Sequence, residues 1–136
     1  MPAALVTGGA RGIGYAAASA LISAGFDVAI VSQESEEEAE PGWSDLRALG
    51  GSVFYFCRDI SRVDAHAALI EDIYGQLGPI HCLVNNAGVT SMIRCDLLDV
   101  TVESFDHCVG TNLRGTFFLT QAVARSMVPA DASART

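Results

Sequence analysis

Lysine is absent, and all eight basic residues are arginine. The chain therefore has no Schiff-base lysine, no phosphate-loop lysine and no catalytic ammonium of its own. Positive charge is scarce altogether. Eight basic residues against 16 acidic ones leave a formal charge of -8 and a pI near 4.6. That excludes a nucleic-acid partner as an expectation, because affinity for a phosphate backbone rests on Lys and Arg. The four cysteines, Cys57, Cys82, Cys95 and Cys108, are widely spaced and form no C-x-x-C pair. Neither a zinc site, a redox motif nor a disulfide framework is expected, and no metal site. They read as reduced thiols of a cytoplasmic protein, with Cys57 and Cys82 as small core residues on strands. No basic-then-apolar leader precedes the first strand, and no run of about 18 apolar residues could span a membrane. A soluble, cytoplasmic protein with no membrane partner is the expectation.

What remains is a core-rich chain of 136 residues, half of them apolar, with a mean hydropathy of +0.32. That length fits one domain that can fold without a staple. Apolar runs alternate with helical patterns. Strands are expected at residues 3–7, 26–31, 53–57 and 80–84. A helix at 12–24 would bury Ile13, Ala17, Leu21 and Ala24, and another would bury Val63, Ala67, Ile70, Tyr74 and Leu77 behind a Ser61–Asp64 cap pair. The glutamate-rich stretch 32–42 reads as a solvated loop, and Trp43 beside it as local packing. A long helical region at about 101–128 contains Gly110, so a kink near Thr111 and Asn112 is expected. His66, His81 and His107 share no ligand spacing. Strands alternating with helices imply βαβ units, hence an α/β, Rossmann-type, doubly wound parallel sheet in three layers. No strand follows the last helix, so the fourth strand would be left as an apolar edge and the sheet incomplete at its C-terminal end.

Between the first strand and the first helix lies Thr7-Gly8-Gly9-Ala10-Arg11-Gly12-Ile13-Gly14. Glycines opening a helix let backbone N–H groups approach a pyrophosphate, and the helix N-terminus favours its charge. The spacing is G-x-x-x-G-x-G rather than G-x-G-x-x-G, and a tight βα turn alone would also use glycine. About 20 residues further on, where an acidic side chain would take the ribose 2′-OH of NAD, stand Ser32 and Gln33. With Arg11 in the glycine loop, this favours NADP(H) over NAD(H). Glu34, slightly further along, pulls the other way.

Three more elements complete a pattern: Cys57-Arg58-Asp59-Ile60 after the third strand, Leu83-Val84-Asn85-Asn86-Ala87-Gly88 closing the fourth, and Asn112 in the long helical region. Together with the glycine loop, in this order, they resemble the short-chain dehydrogenase/reductase family over nearly the whole chain. Within it the pattern is most similar to 3-oxoacyl carrier-protein reductases. The resemblance implies that Gly8, Gly12, Ile13 and Gly14 line the pyrophosphate and that Arg11, near Ser32, approaches the adenosine 2′-phosphate. It implies that Asp59 accepts from the adenine amino group, with the Ile60 backbone beside the base. Asn86, Ala87 and Gly88 would pass behind the nicotinamide ribose, and residues 90–98 would border a substrate cleft. Asn112 would be the catalytic asparagine that kinks its helix and whose main-chain carbonyl holds a water in the proton relay. The bland alternatives are a helix-entry cap for Asp59 and a simple bend at Asn112.

The family's remaining catalytic groups are a tyrosine, a lysine four residues later and a serine on the next strand. Tyr15, Tyr55 and Tyr74 are not followed by lysine, and a hydroxyl of pKa near 10 is a poor proton donor at neutral pH without a neighbouring cation. The chain is thus expected to be the dinucleotide-binding half of one Rossmann domain, residues 1–136, with the catalytic half lying outside it. The implied activity is hydride transfer between NADP(H) and a small-molecule ketone or secondary alcohol. This chain alone would be inactive, and the full-length form a homodimer or homotetramer. The alternatives are a non-catalytic NADP(H)-binding module and one half of a split enzyme completed in trans.

Overall fold

The computed structural model describes residues 1–129. Four parallel strands form one sheet in the order β3-β2-β1-β4, made of β1 (Ala3–Thr7), β2 (Asp27–Ser32), β3 (Val53–Cys57) and β4 (Ile80–Val84). The helices are α1 (Gly12–Ser23), α2 (Glu36–Ala39), α3 (Gly42–Arg47), α4 (His66–Leu77), α5 (Val102–Val109) and α6 (Thr116–Met127). Residues alternate along a strand between the two faces of a sheet. Accordingly Ala4, Val6, Val28 and Ile30 point into one core with Ala18, Ile22, Trp43 and Leu46. Leu5, Ala29 and Val31 point into the other with Leu69, Ile73, Leu119 and Val123. Helices α1 and α3 therefore cover one face and α4 and α6 the other, which gives the three-layer, doubly wound α/β architecture the alternating runs imply. Both central strands are buried almost throughout.

Several boundaries and faces differ from the sequence expectation. Strand β2 begins one residue later than expected. The buried residues of α1 are Gly14, Ala18 and Ile22, while Ile13 is 83% exposed. A glycine faces the sheet because a Cβ at Gly14 would fall on the Gly8 carbonyl. Close approach of the loop sets the helix rotation, and the larger apolar residues follow it. Helix α4 is turned likewise: His66, Leu69 and Ile73 are buried, and Tyr74 is exposed. The Ser61–Asp64 cap pair is not formed. Instead Asp59 Oδ1 accepts from the Ser61 N–H at 2.9 Å, and a short 3-10 turn, Val63–Ala65, precedes α4. The 32–42 stretch holds the helix α2, capped by Ser35, whose Oγ accepts from Glu38 N–H. Glu36, Glu37 and Glu38 fill its first turn, where the helix dipole favours negative charge. Cys57 is exposed rather than core, because β3 is an edge strand; Cys82 is half-buried.

Strand β4 pairs only with β1 among the described residues. Their register slips between Ala3 and Ala4, and there the His81 ring substitutes for a ladder partner, Nδ1 accepting from Ala3 N–H at 3.1 Å. The expected kink is a π turn, Gly110–Gly115, between α5 and α6. Thr116 Oγ1 donates to the Thr111 carbonyl five residues back, at 3.2 Å. The turn lets Gly115 pack on the corner after β3: a Cβ there would stand 2.6 Å from Ile60 O and 2.9 Å from Gly110 O, both backbone atoms. Gly115→Ala should accordingly cost about 1–3 kcal/mol, the usual range for overpacking. Urea midpoints measure this, and an alanine variant as stable as the parent would show that the corner yields.

Candidate nucleotide-binding cleft

The chain runs outward from β1 to β2 and β3, then crosses back to place β4 on the other side of β1. Where strand order reverses, the connections leaving the carboxyl ends part to opposite faces and open a crevice. Thr7 stands there, at the end of β1, 1% exposed. Its Oγ1 accepts from the N–H groups of Asn86 and Ala87, each at 3.0 Å, and its hydroxyl donates to Val84 O at 3.4 Å. Asn86 Nδ2 answers by donating to the carbonyls of Thr7 (3.2 Å) and Gly8 (3.1 Å). Gly8 N–H donates to Val31 O at 2.7 Å. Three strand ends are laced together at one point. Gly8 has φ +66, and a Cβ on it would lie 2.9 Å from Asn86 Nδ2, so glycine is required here on both counts.

Beside this junction is a cleft of about 350 Å³. Gly8, Ala10, Arg11, Ser32, Gln33 and Glu34 line one side, and Asn86, Ala87, Gly88, Val89 and Thr111 the other. Helix α1 begins at its wall, where Arg11 precedes Gly12. Arg11, the N-cap residue, makes no side-chain cap bond, and the first turn holds no acidic residue. The first N–H groups of a helix lack intrahelical partners, so these donors are left for an anion, which is what a pyrophosphate requires. The Arg11 guanidinium stays on its own side of the cleft: Nη2 lies 3.0 Å from Glu34 Oε2 and donates to Glu38 O at 3.1 Å. The carboxylate contact is one of charge, since Glu34 Oε2 is buried without a well-aligned hydrogen bond. Glu34 is itself fixed through its backbone. Its carbonyl accepts from Tyr55 Oη at 2.7 Å and its N–H donates to Ser32 Oγ at 3.3 Å. Burial pushes the Tyr55 hydroxyl above its ordinary pKa of 10.0, against smaller opposing effects that include the Ser32 hydrogen bond and the Arg11 charge.

The other expected residues fall outside that cleft. Gly12 is at φ +54 with open space around its Cβ position. Ile13 points to solvent, and Gly14 serves close packing rather than the cleft wall. Asp59 lines a second pocket of about 380 Å³ with Ser61, Asp106, His107, Val109, Gly110, Thr111 and Arg114. The two pockets adjoin at Thr111. Ile60 is buried, and its carbonyl is engaged by His66 Nε2 at 2.7 Å. Asn112 is exposed and clamps the loop after β4: Oδ1 accepts from Val89 N–H at 2.7 Å and Nδ2 donates to Val89 O at 2.8 Å. Residues 90–98 are exposed along their length. Thr7 and His66 are the residues whose roles the sequence reading missed. A threonine ending a buried strand carries no pattern of its own, although its place just before the glycines was visible.

An α/β sheet with a cleft at its strand-order reversal, bordered by a glycine loop and the uncapped start of a helix, defines a nucleotide-binding fold. The chain belongs to the short-chain dehydrogenase family, whose model matches residues 2–135. It is 35% identical over 126 residues to the 3-oxoacyl acyl-carrier-protein reductase FabG of Staphylococcus aureus, covering 92% of this chain and 50% of that protein. A short-chain dehydrogenase/reductase of Armillaria gallica is 36% identical, with 92% and 48% covered. The crystal structure of a 3-oxoacyl acyl-carrier-protein reductase from Brucella melitensis in complex with NAD superposes with a TM-score of 0.87 at 47% identity, covering 96% of this chain and 50% of that one. A short-chain dehydrogenase from Burkholderia cenocepacia in complex with NADP gives 0.82 at 35%, with 91% and 50% covered. The chain thus spans about half the length of the relatives it matches. Among the described residues no helix is long and apolar enough to cross a membrane, and no group of three or more metal-ligating side chains could hold an ion.

Thr7→Val keeps the shape of the junction and removes its hydroxyl, leaving two backbone N–H groups without their acceptor. A loss of about 1–3 kcal/mol is expected, with Thr7→Ser retaining most of the stability. Chemical unfolding of the pair decides it: equal losses for both variants would take the hydroxyl out of its role.

Proposed function

We propose that this chain is the dinucleotide-binding half of an NADP(H)-dependent oxidoreductase that moves hydride between the nicotinamide and a ketone or secondary alcohol. The observation that carries the reading is that α1 starts, without a side-chain cap, at the wall of the cleft beside the Thr7–Asn86 junction. Here α1 and the loop ending in Gly8 and Arg11 hold the pyrophosphate, and the 380 Å³ pocket takes the adenine, with Asp59 accepting from its amino group. Asn86, Ala87 and Gly88 pass behind the nicotinamide ribose. Asn112, by fixing Val89, holds the loop after β4 beside the reacting ring, and its main-chain carbonyl is the group that would hold a water of the proton relay. The cofactor supplies the hydride. The proton donor comes from outside the described residues, for Tyr15, Tyr55 and Tyr74 all lie away from the cleft lining. The similarity to the Staphylococcus and Brucella reductases supports a 3-oxoacyl thioester as the carbonyl substrate. The exposed Phe105, Leu113 and Phe117 of the α5–α6 region support a homodimer or homotetramer in a full-length form.

Cofactor choice rests on the Arg11–Glu34 pair. A 2′-phosphate gains Arg11 but must part it from Glu34, whereas a 2′-hydroxyl can donate to the Glu34 carboxylate with the pair intact. The buried, poorly bonded Oε2 of Glu34 favours the second arrangement and keeps NAD(H) as the competing reading. Binding titrations of NADPH and NADH, followed by nucleotide fluorescence, distinguish the two. For an NADP(H) protein, Arg11→Ala weakens NADPH about tenfold or more beyond NADH, the worth of a charge-assisted phosphate contact. Glu34→Gln tightens NADPH. Equal weakening of both nucleotides by Arg11→Ala would overturn the NADP(H) assignment, and no binding of either would overturn the dinucleotide reading. With NADPH and a 3-oxoacyl thioester, the 136-residue chain alone is expected to show no oxidation of the nucleotide.

A further inference from the structure

The histidine that opens α4 has no part in the cleft, yet it is 4% exposed and hydrogen-bonded back to the corner between β3 and α4. His66 Nε2 lies 2.7 Å from Ile60 O. A carbonyl can only accept, so Nε2 donates, while Nδ1 is buried without a partner. An apolar residue here would avoid burying that unpaired nitrogen, so the ring's worth lies in what Nε2 holds. The Ile60 carbonyl is a meeting point. On one side His66 donates to it; on the other Gly115 of the π turn packs against it, its Cβ position 2.6 Å away. One residue before Ile60, Asp59 forms a wall of the 380 Å³ pocket, and residues 106–114 leading into Gly115 form the facing wall. The spacing of the two walls is therefore fixed at the Ile60 peptide.

We infer that His66 is a positioning residue for the adenine half of the dinucleotide, acting through the Ile60 carbonyl on the Asp59 wall of that pocket. The inference rests on the dinucleotide reading above. Without the Nε2 donor, the buried carbonyl is left unsatisfied and turns toward water, carrying the Asp59–Ile60 peptide with it. The main cleft, held by Thr7 and Asn86, is not touched by this movement. Binding should thus split along the length of the cofactor.

The test is titration of the full chain with ADP and, separately, with reduced nicotinamide mononucleotide. His66→Leu, which keeps the bulk and loses the donor, should weaken ADP about tenfold, as one lost buried hydrogen bond would. It should leave the mononucleotide unchanged. His66→Gln, whose amide can reach the same carbonyl, should restore ADP to near the parent value. Equal weakening of both ligands by His66→Leu, unchanged ADP binding, or failure of the glutamine to rescue would overturn the role. Should the leucine variant not fold, the parent protein still answers. Exchange of the His66 Nε2 proton, followed by NMR, slows on adding ADP and not on adding the mononucleotide; no such difference would equally overturn it. If the parent binds NADPH and ADP but the variants do not differ, only the role of His66 falls. If the parent binds neither, the dinucleotide reading falls with it.

Discussion

One buried hydroxyl holds the site in register. A sheet whose order runs β3-β2-β1-β4 leaves its crevice between the carboxyl ends of β1 and β4, where the pairing ladder has run out and nothing regular holds the strands at a set distance. Thr7 Oγ1 does so by taking two N–H groups of the chain beyond β4 while donating to a carbonyl within it. Asn86 closes the same junction from the other side. Everything nearby is then determined by contact. Gly8 must lack a side chain because Asn86 is there, and Gly14 because Gly8 is there. The rotation of α1 follows from Gly14, and with it which of its residues face the sheet. The seating of α1 against the strand ends is in this sense a consequence of a hydrogen bond made on the neighbouring strand.

A second constraint of the same kind operates at the Ile60 carbonyl, where the absence of a side chain at Gly115 and the presence of a donor at His66 bring the π turn and the β3–α4 corner together. A regular helix through residues 110–115 would carry Gly115 off that corner. The extra residue of the π turn inserts a step that redirects α6 onto the sheet, where Leu119 and Val123 complete the core beside Leu5 and Val31. The turn also sets Asn112 against Val89. Irregular backbone is retained at this point because it serves the core and the loop after β4 together.

How much of this a sequence can disclose follows from which interactions are local. The four strands are legible because each is a continuous apolar run bounded by turn residues, and the sheet class follows from their alternation with helices. The kink is legible from Gly110, and its π character is not, since it depends on a contact with Ile60 fifty-odd positions earlier in the chain. The helix faces are misread for a physical reason. Periodicity weights bulky residues, so it selects Ile13 and Tyr74, whereas contact with the sheet here needs a glycine in α1 and is joined by a histidine in α4. The cap at the start of α4 is misplaced because Asp59 reaches Ser61 first and a 3-10 turn takes up the slack. Arg11 and Asp59, which the family pattern assigns to different parts of one site, line two separate pockets that share Thr111.

The pairing of Arg11 with Glu34 shows why a residue list alone underdetermines a binding preference. Taken singly, one side chain argues for a phosphate and the other for a hydroxyl. In the fold they are a single electrostatic object, 3.0 Å apart, with the acidic member fastened through its backbone to Tyr55 and Ser32 and the basic member 67% exposed and able to swing. A charge held by its main chain moves less readily than one at the end of a long flexible side chain. The choice between nucleotides is therefore set by the free energy of parting Arg11 from a fixed partner, set against the contact that a 2′-phosphate offers in return. Partly exposed pairs of this kind are worth little, about 1 kcal/mol or less. A phosphate of nearly two charges can displace such a partner, so the arrangement is compatible with the proposed use of NADP(H) while weakening it.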